Sequence, residues 1–194
     1  LILSASLPKS GAFRNVNMSC IQRRFDVRTG QPRLAVIAAQ GHRFPEILVG
    51  AGTLLEKDQL LRAKNAGAVF GVAPGLNPEI IAAAHQAGLQ FSPGVMTPSE
   101  VEQALALGCK LLKFFPAEAA GGVNMLKSLA GPYAHTGVKF IPTGGVTASN
   151  LASYLKLPVV AAIGGSWMVD KALINGGQWA EITRLTQTAL EAAA

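Results

Sequence analysis

Lys113 stands in the run Leu111-Leu112-Lys113-Phe114-Phe115-Pro116, an almost wholly apolar stretch in which an ammonium group has no ordinary place. The run reads as a short strand of the kind buried on both faces in a parallel sheet. Strand side chains alternate, which puts Leu111, Lys113 and Phe115 on one face and Leu112 and Phe114 on the other. Apolar surroundings disfavour the charged form of a lysine and lower its pKa. The free amine can then attack a carbonyl carbon and form a Schiff base. The plain alternative is a lysine that snorkels from a strand end or pairs with a carboxylate.

Two glycine pairs add a second kind of chemistry. Pro142-Thr143-Gly144-Gly145-Val146 and Gly164-Gly165-Ser166-Trp167 each follow an apolar run, and these runs are the last two of the chain. Glycines let backbone N–H groups approach phosphate oxygens, and a helix N-terminus supplies further donors and a favourable dipole. Thr143 and Ser166 add hydroxyls. A single Gly-Gly pair is compatible with a tight turn and nothing more; two at consecutive strand ends point to a phosphate or similar anion. Gly50-Ala51-Gly52-Thr53, Pro74-Gly75 and Pro93-Gly94 end three earlier runs with small residues and turn formers. Such turns are structural by default.

The elements that must position these residues recur at a nearly constant interval. Apolar runs begin near Ile47, Ala68, Leu89 and Cys109, then near Val138 and Val159. Helical spacing of Ala and Leu predicts helices over 55–66, 78–87, 98–107, 123–130 and 148–156. Thr97-Pro98-Ser99-Glu100 is a capping box with proline at the first helical position, and Asn77-Pro78-Glu79 reads similarly. Gly67, Gly88 and Gly108 each follow a helix, as glycines that terminate helices do. Six successive strand–helix units with apolar strands imply parallel pairing through right-handed crossovers. Both a closed (β/α)8 barrel and an open doubly wound sheet satisfy this pattern. The residues at the strand ends favour the barrel, in which loops after strands 7 and 8 commonly build a phosphate site. The expected architecture is thus one α/β domain over 1–194, a (β/α)8 TIM barrel with six clear units over 47–194 and atypical or incomplete first two units.

Composition narrows the class. The 194 residues, 49% hydrophobic and 14% charged, suit a single domain with a full core. Cys20 and Cys109 are too few and too far apart for a disulfide framework or a metal site, and His42, His85 and His135 lack ligand spacing. Both cysteines are expected to be inert packing residues. No apolar run reaches the length of a transmembrane helix, and the opening Leu-Ile-Leu-Ser-Ala-Ser-Leu is too short for a secretory core with a basic start. A cytoplasmic protein with no membrane partner is the expectation. The net charge of +6 is uneven: residues 1–46 hold seven Lys/Arg against two acids, and the remainder ten against nine. A basic arm can contact nucleic acid, but this one carries no aromatic stacking series and no recognisable motif, so no nucleic-acid partner is expected.

Taken in order, Val49-Gly50-Ala51-Gly52-Thr53, Ala73-Pro74-Gly75, Lys113-Phe114-Phe115-Pro116-Ala117-Glu118, Gly121-Gly122-Val123, Pro142-Thr143-Gly144-Gly145 and Gly164-Gly165-Ser166-Trp167 resemble the 2-keto-3-deoxy-6-phosphogluconate aldolase family, which also acts on 4-hydroxy-2-oxoglutarate. The resemblance covers about residues 45–194. It implies a class I, metal-independent aldolase without a cofactor, in a (β/α)8 barrel that assembles as a homotrimer and serves the Entner–Doudoroff pathway. Carried over residue by residue, Lys113 would form the Schiff base. Thr53, Pro74, Phe115 and Thr143 would line the keto-acid end, and Gly144, Gly145, Gly164, Gly165 and Ser166 would hold the phosphate.

The resemblance stops where the first two units should be. The family carries a Glu-Val-Thr-Leu-Arg type motif on its second strand, whose glutamate moves protons and whose arginine binds the substrate carboxylate. Residues 1–46 hold no such motif. The nearest is Phe25-Asp26-Val27-Arg28-Thr29, with an acid one methylene shorter and only two residues before the arginine. Arg28 is the candidate carboxylate ligand and Asp26 the candidate base. Ile2 to Leu7 can form a strand and Leu34 to Ala39 part of a helix, but residues 8–33 show no amphipathic period and are expected to be less ordered than 47–194. The abrupt change in composition suggests an altered coding segment; a diverged N-terminus is the other reading. Beside an active aldolase stand two rivals: an impaired homologue that retains phosphate and keto-acid binding, and another phosphate-binding barrel enzyme in which Lys113 is not covalent.

Overall fold

The computed structural model describes residues 2–4, 18–21, 37 and 48–192. Asp26, Arg28, His42 and most of the 8–33 segment lie outside them. Among the described residues the strands are β1 (Ile2–Ser4), β2 (Met18–Ile21), β3 (Leu48–Gly52), β4 (Phe70–Val72), β5 (Gln90–Ser92), β6 (Gly94–Val95), β7 (Leu111–Phe114), β8 (Lys139–Pro142) and β9 (Ala162–Gly164). From β3 onward they alternate with α1 (Lys57–Asn65), α2 (Pro78–Gln86), α3 (Pro98–Ala106), α4 (Gly122–Ala130) and α5 (Leu151–Leu155); α6 (Lys171–Asn175) and α7 (Trp179–Glu191) follow β9.

Parallel pairing runs β2-β3-β4-β5 and again β6-β7-β8. Only Pro93 separates β5 from β6. Proline has no N–H to offer a ladder, but its carbonyl accepts from Lys113 N at 2.8 Å, so β7 stays alongside the bend. Bridges Phe140–Val160 and Thr143–Gly164 carry the parallel pairing from β8 onto β9. β1 is the exception, antiparallel to β9 and adjacent to β2. β2 begins at Met18, in a stretch where composition predicts no strand; its place comes from the backbone register with β3, Met18 opposite Leu48 through Ile21 opposite Ala51.

The core has two layers that follow from side-chain alternation. Leu112 and Phe114 pack outward among helix residues such as Ala104, Leu126 and Tyr154. Leu111 turns to the other face, where Phe70, Val72, Ile141, Ala162 and Leu48 meet it. Side chains from β3, β4, β7, β8 and β9 therefore share one inner cluster. Full burial contributes about 1.5–3 kcal/mol for each Leu or Phe. The helices cover the outer layer with residues at three- and four-residue spacing: Leu60 and Ala63 in α1, Ile80, Ile81 and Ala84 in α2, Val101 and Ala104 in α3.

Helix ends follow the sequence chemistry closely. Thr97 and Glu100 make the reciprocal capping box, with Pro98 in the first turn. Asn77 Oδ1 accepts from Glu79 N at 2.9 Å. Gly67, Gly88 and Gly108 follow the helices with φ of 98°, 62° and 79°, the left-handed region in which a Cβ is costly. Ile37 is buried and helical, within the helix expected over 34–39. Among the described residues no helix is long and apolar enough to cross a membrane.

Candidate active site

Lys113 is 4% exposed. It lies two residues after Leu111, on the inner face of β7, in register with Gly94 of β6 and Ile141 of β8. Gly94 allows this end of the sheet to close up: a Cβ there would strike the Pro74 carbonyl, so the turn after β4 sits directly against the lysine's neighbouring strand. The Phe115 ring centroid is 4.5 Å from Lys113 Nζ, close enough for its face to attract the cationic form of the amine. The Phe115–Pro116 peptide is cis.

The strand beside it contributes Thr143, which is buried. Its backbone N donates to Phe114 O at 3.0 Å, and its hydroxyl donates to Ile141 O at 3.3 Å. A Cβ on Gly164 would meet Thr143 Oγ1 at 2.5 Å, so glycine there is what lets β9 lie against the threonine. The turn after β8 needs glycine for a different reason: Gly144 and Gly145 have φ of 97° and 83°. A Cβ on Gly144 would also press on the Phe115 ring at 3.2 Å. A side chain on Gly165 would run into the Trp167 ring, and Ser166 is exposed ahead of the short 3-10 turn Trp167–Val169. Thr53, just past β3, has φ of 61° and is the one non-glycine residue at positive φ among those described. A β-branched residue held there stores about 1–3 kcal/mol of strain, and such outliers concentrate at functional sites.

Every expected site residue within the described part thus sits at a C-terminal strand end: Thr53 after β3, Pro74 after β4, Lys113 and Phe115 on and after β7, Thr143, Gly144 and Gly145 after β8, Gly164, Gly165 and Ser166 at and after β9. Phe115 links Lys113 to Gly144, Thr143 links β8 to Gly164, and Pro74 abuts Gly94. Asp26 and Arg28 lie outside the described residues.

Motif reading leaves two residues here without a role. Tyr154, on α5 and fully buried, donates a hydrogen bond to the Glu118 carboxylate in the loop after β7. Glu118 is the only charge in Phe114–Gly122, and that isolation is the signal in the sequence. Burial, then the Glu118 carboxylate, pushes the Tyr154 phenol well above its ordinary pKa. Cys109 is buried and free, its thiol pushed up by burial, in keeping with a packing role. His85 and His135 are exposed, and among the described residues no three His, Cys, Asp or Glu side chains gather as a metal site. A cavity of about 530 Å³ lined by His85, Gln90, Cys109 and Lys110 opens at the opposite, N-terminal ends of β5 and β7 and contains none of the expected site residues.

A buried lysine thus stands at the ends of parallel strands beside an aromatic ring, with glycine turns on the two strands that follow. The chain belongs to the KDPG and KHG aldolase family, whose profile matches residues 26–185. It is 45% identical over 147 residues to the 2-dehydro-3-deoxy-phosphogluconate aldolase of Haemophilus influenzae, covering 76% of this chain and 68% of that one. With the enzyme of the same name from Treponema pallidum it shares 38% over 186 residues, 96% of this chain and 86% of the relative. A crystal structure of KDPG aldolase from Legionella pneumophila, with pyruvate captured at low pH as a covalent carbinolamine intermediate, matches with a TM-score of 0.78 at 33% identity, over 91% of this chain and 80% of that one. The 2-keto-3-deoxy-6-phosphogluconate aldolase of Zymomonas mobilis with 3-phosphoglycerate matches with a TM-score of 0.75 at 35% identity, over 93% and 78%. The family match begins at Asp26, so it reaches into the N-terminal segment that the motifs alone leave unmatched.

Proposed function

We propose that the chain is a class I aldolase that cleaves 2-keto-3-deoxy-6-phosphogluconate to pyruvate and glyceraldehyde 3-phosphate, and 4-hydroxy-2-oxoglutarate to pyruvate and glyoxylate. The observation that carries the reading is Lys113, 4% exposed on the inner face of β7 beneath the loops that end the parallel strands. Its Nζ adds to the C2 carbonyl carbon, and loss of water from the carbinolamine leaves an iminium. A base takes the C4 hydroxyl proton; the C3–C4 pair then flows into the iminium, releasing the aldehyde and leaving an enamine. Protonation at C3 and hydrolysis free pyruvate and restore the amine.

Thr53, Pro74, Phe115 and Thr143 line the keto-acid end in this reading. Gly144, Gly145, Gly164, Gly165 and Ser166 hold the phosphate; Arg28 is the candidate for the substrate carboxylate, and Asp26, one methylene shorter than the family's glutamate, is the nearest candidate for the base. The inner cluster drawn from five strands supports closure of the sheet as a (β/α)8 barrel over one domain. The functional form is a cytoplasmic homotrimer, as the family resemblance implies. Incubation with pyruvate and borohydride, followed by digestion and mass spectrometry, tests the nucleophile. The reduced adduct is expected on Lys113 and absent from Lys113→Arg, whose guanidinium stays protonated. An adduct on Lys110 or Lys139 instead, or none, defeats the assignment.

A further inference from the structure

We infer that Tyr154 is a specificity-determining positioning residue: its hydroxyl parks the Glu118 carboxylate away from the Gly144-Gly145 turn, leaving that turn open to the phosphate of the substrate. The inference rests on the phosphate site proposed above. Glu118 lies against the turn. Its backbone N donates to Gly144 O at 3.0 Å, and the preceding Ala117 N donates to Thr143 O at 2.8 Å, so the loop after β7 is zipped to the loop after β8. A Cβ on Gly145 would meet Glu118 Cβ at 2.6 Å and Cγ at 2.7 Å, so the glutamate's methylenes cover one side of this glycine. The other side of the turn is held by Asn150, whose amide donates to Gly145 O at 3.2 Å.

A carboxylate this close to a glycine turn is a competitor for any anion that the turn's amides bind. It is held elsewhere. Glu118 Oε1 accepts from Tyr154 Oη and lies beside Gly122, at the start of α4, where the helix dipole favours negative charge. Tyr154 is fully buried and cannot follow if the carboxylate swings away. Without the hydroxyl, two rotatable bonds beyond Cβ allow the carboxylate to turn toward the Gly144-Gly145 amides, where it takes the phosphate's donors and repels its charge.

Three variants and two probes test this. Tyr154→Phe is expected to weaken 3-phosphoglycerate, measured by calorimetry, about tenfold, while the pyruvate concentration for half-maximal borohydride trapping stays at the wild-type value. Glu118→Gln alone, which keeps the tyrosine and loses the charge, is expected to bind 3-phosphoglycerate at least as well as wild type. Tyr154→Phe with Glu118→Gln is expected to recover wild-type affinity, a rescue that a merely structural hydrogen bond would not give. Wild-type affinity in Tyr154→Phe, failure of the rescue, or parallel loss of pyruvate trapping overturns the inference while the phosphate site stands. A wild-type protein that traps pyruvate but does not bind 3-phosphoglycerate removes the phosphate site and the inference with it.

Discussion

At the scale of single residues, the site is governed by how few polar groups are buried and what each is held by. Buried polar or charged side chains among the described residues are Gln59, Ser92, Lys113 and Thr143, and two of these lie on adjacent strands β7 and β8 or immediately after them. Tyr154 adds a phenol whose proton is retained by burial and by the Glu118 carboxylate. In the unfolded chain a tyrosine loses its proton near pH 10. Between that pH and the raised folded value the folded state binds more protons than the unfolded one, so stability falls as pH rises. Tyr133, held to Glu102, contributes in the same direction. Urea unfolding at intervals above about pH 9 is expected to show this decline, and Tyr154→Phe is expected to flatten part of it. Identical slopes for the two proteins would mean that the phenol is not perturbed in the fold.

At the scale of elements, short-range chemistry sets where each helix begins. Thr97 Oγ1 accepts from Glu100 N at 3.4 Å, and Glu100 Oε2 accepts in return from Thr97 N at 2.9 Å and Met96 N at 2.8 Å. These bonds satisfy amide donors that α3 itself leaves unpaired. Thr97→Ala is expected to cost about 0.5–2 kcal/mol in unfolding free energy, read as a lower urea midpoint with an unchanged slope. No shift would mean that water replaces the cap at no loss. The same local logic holds at Gly67, Gly88 and Gly108, each visible in the sequence as the residue that closes a helix. The bend at Pro93 is of another kind: proline was legible there, but that its carbonyl would receive Lys113 N depends on where β7 lies.

At the scale of the whole molecule, the question is how binding and turnover divide. Lys113, Phe115, Thr143 and the glycine turns belong to β7, β8 and β9, while proton transfer in the family belongs to a glutamate that residues 1–46 do not offer in its usual motif. Losing a well-placed general acid–base typically costs about 10²–10⁴-fold in rate. We therefore expect pyruvate trapping at Lys113 to proceed while release of pyruvate from the phosphorylated substrate, in a coupled assay, falls short of the Haemophilus influenzae relative by that order. Turnover equal to the relative's, lost in Asp26→Asn, would instead make Asp26 an adequate base.

The repeating strand–helix units, the helix caps and the small-residue strand ends were legible along the chain, because each depends on contacts within a few residues. The apolar run around Lys113 also marked it as a candidate for burial, but a lysine can snorkel from a strand end, and it was packing on both faces of β7 that left it 4% exposed. Tertiary structure alone decided which strand ends meet: Phe115 over Lys113 and against Gly144, Thr143 against Gly164, Pro74 against Gly94. It decided as well the strand at Met18–Ile21 and the antiparallel β1, whose places rest on backbone pairing with β3 and β9 and not on any periodicity of their own. The pairing of Glu118 with Tyr154 spans 36 residues. Side chains that distant are brought together only when α5 packs back across the loop after β7, which no local pattern encodes.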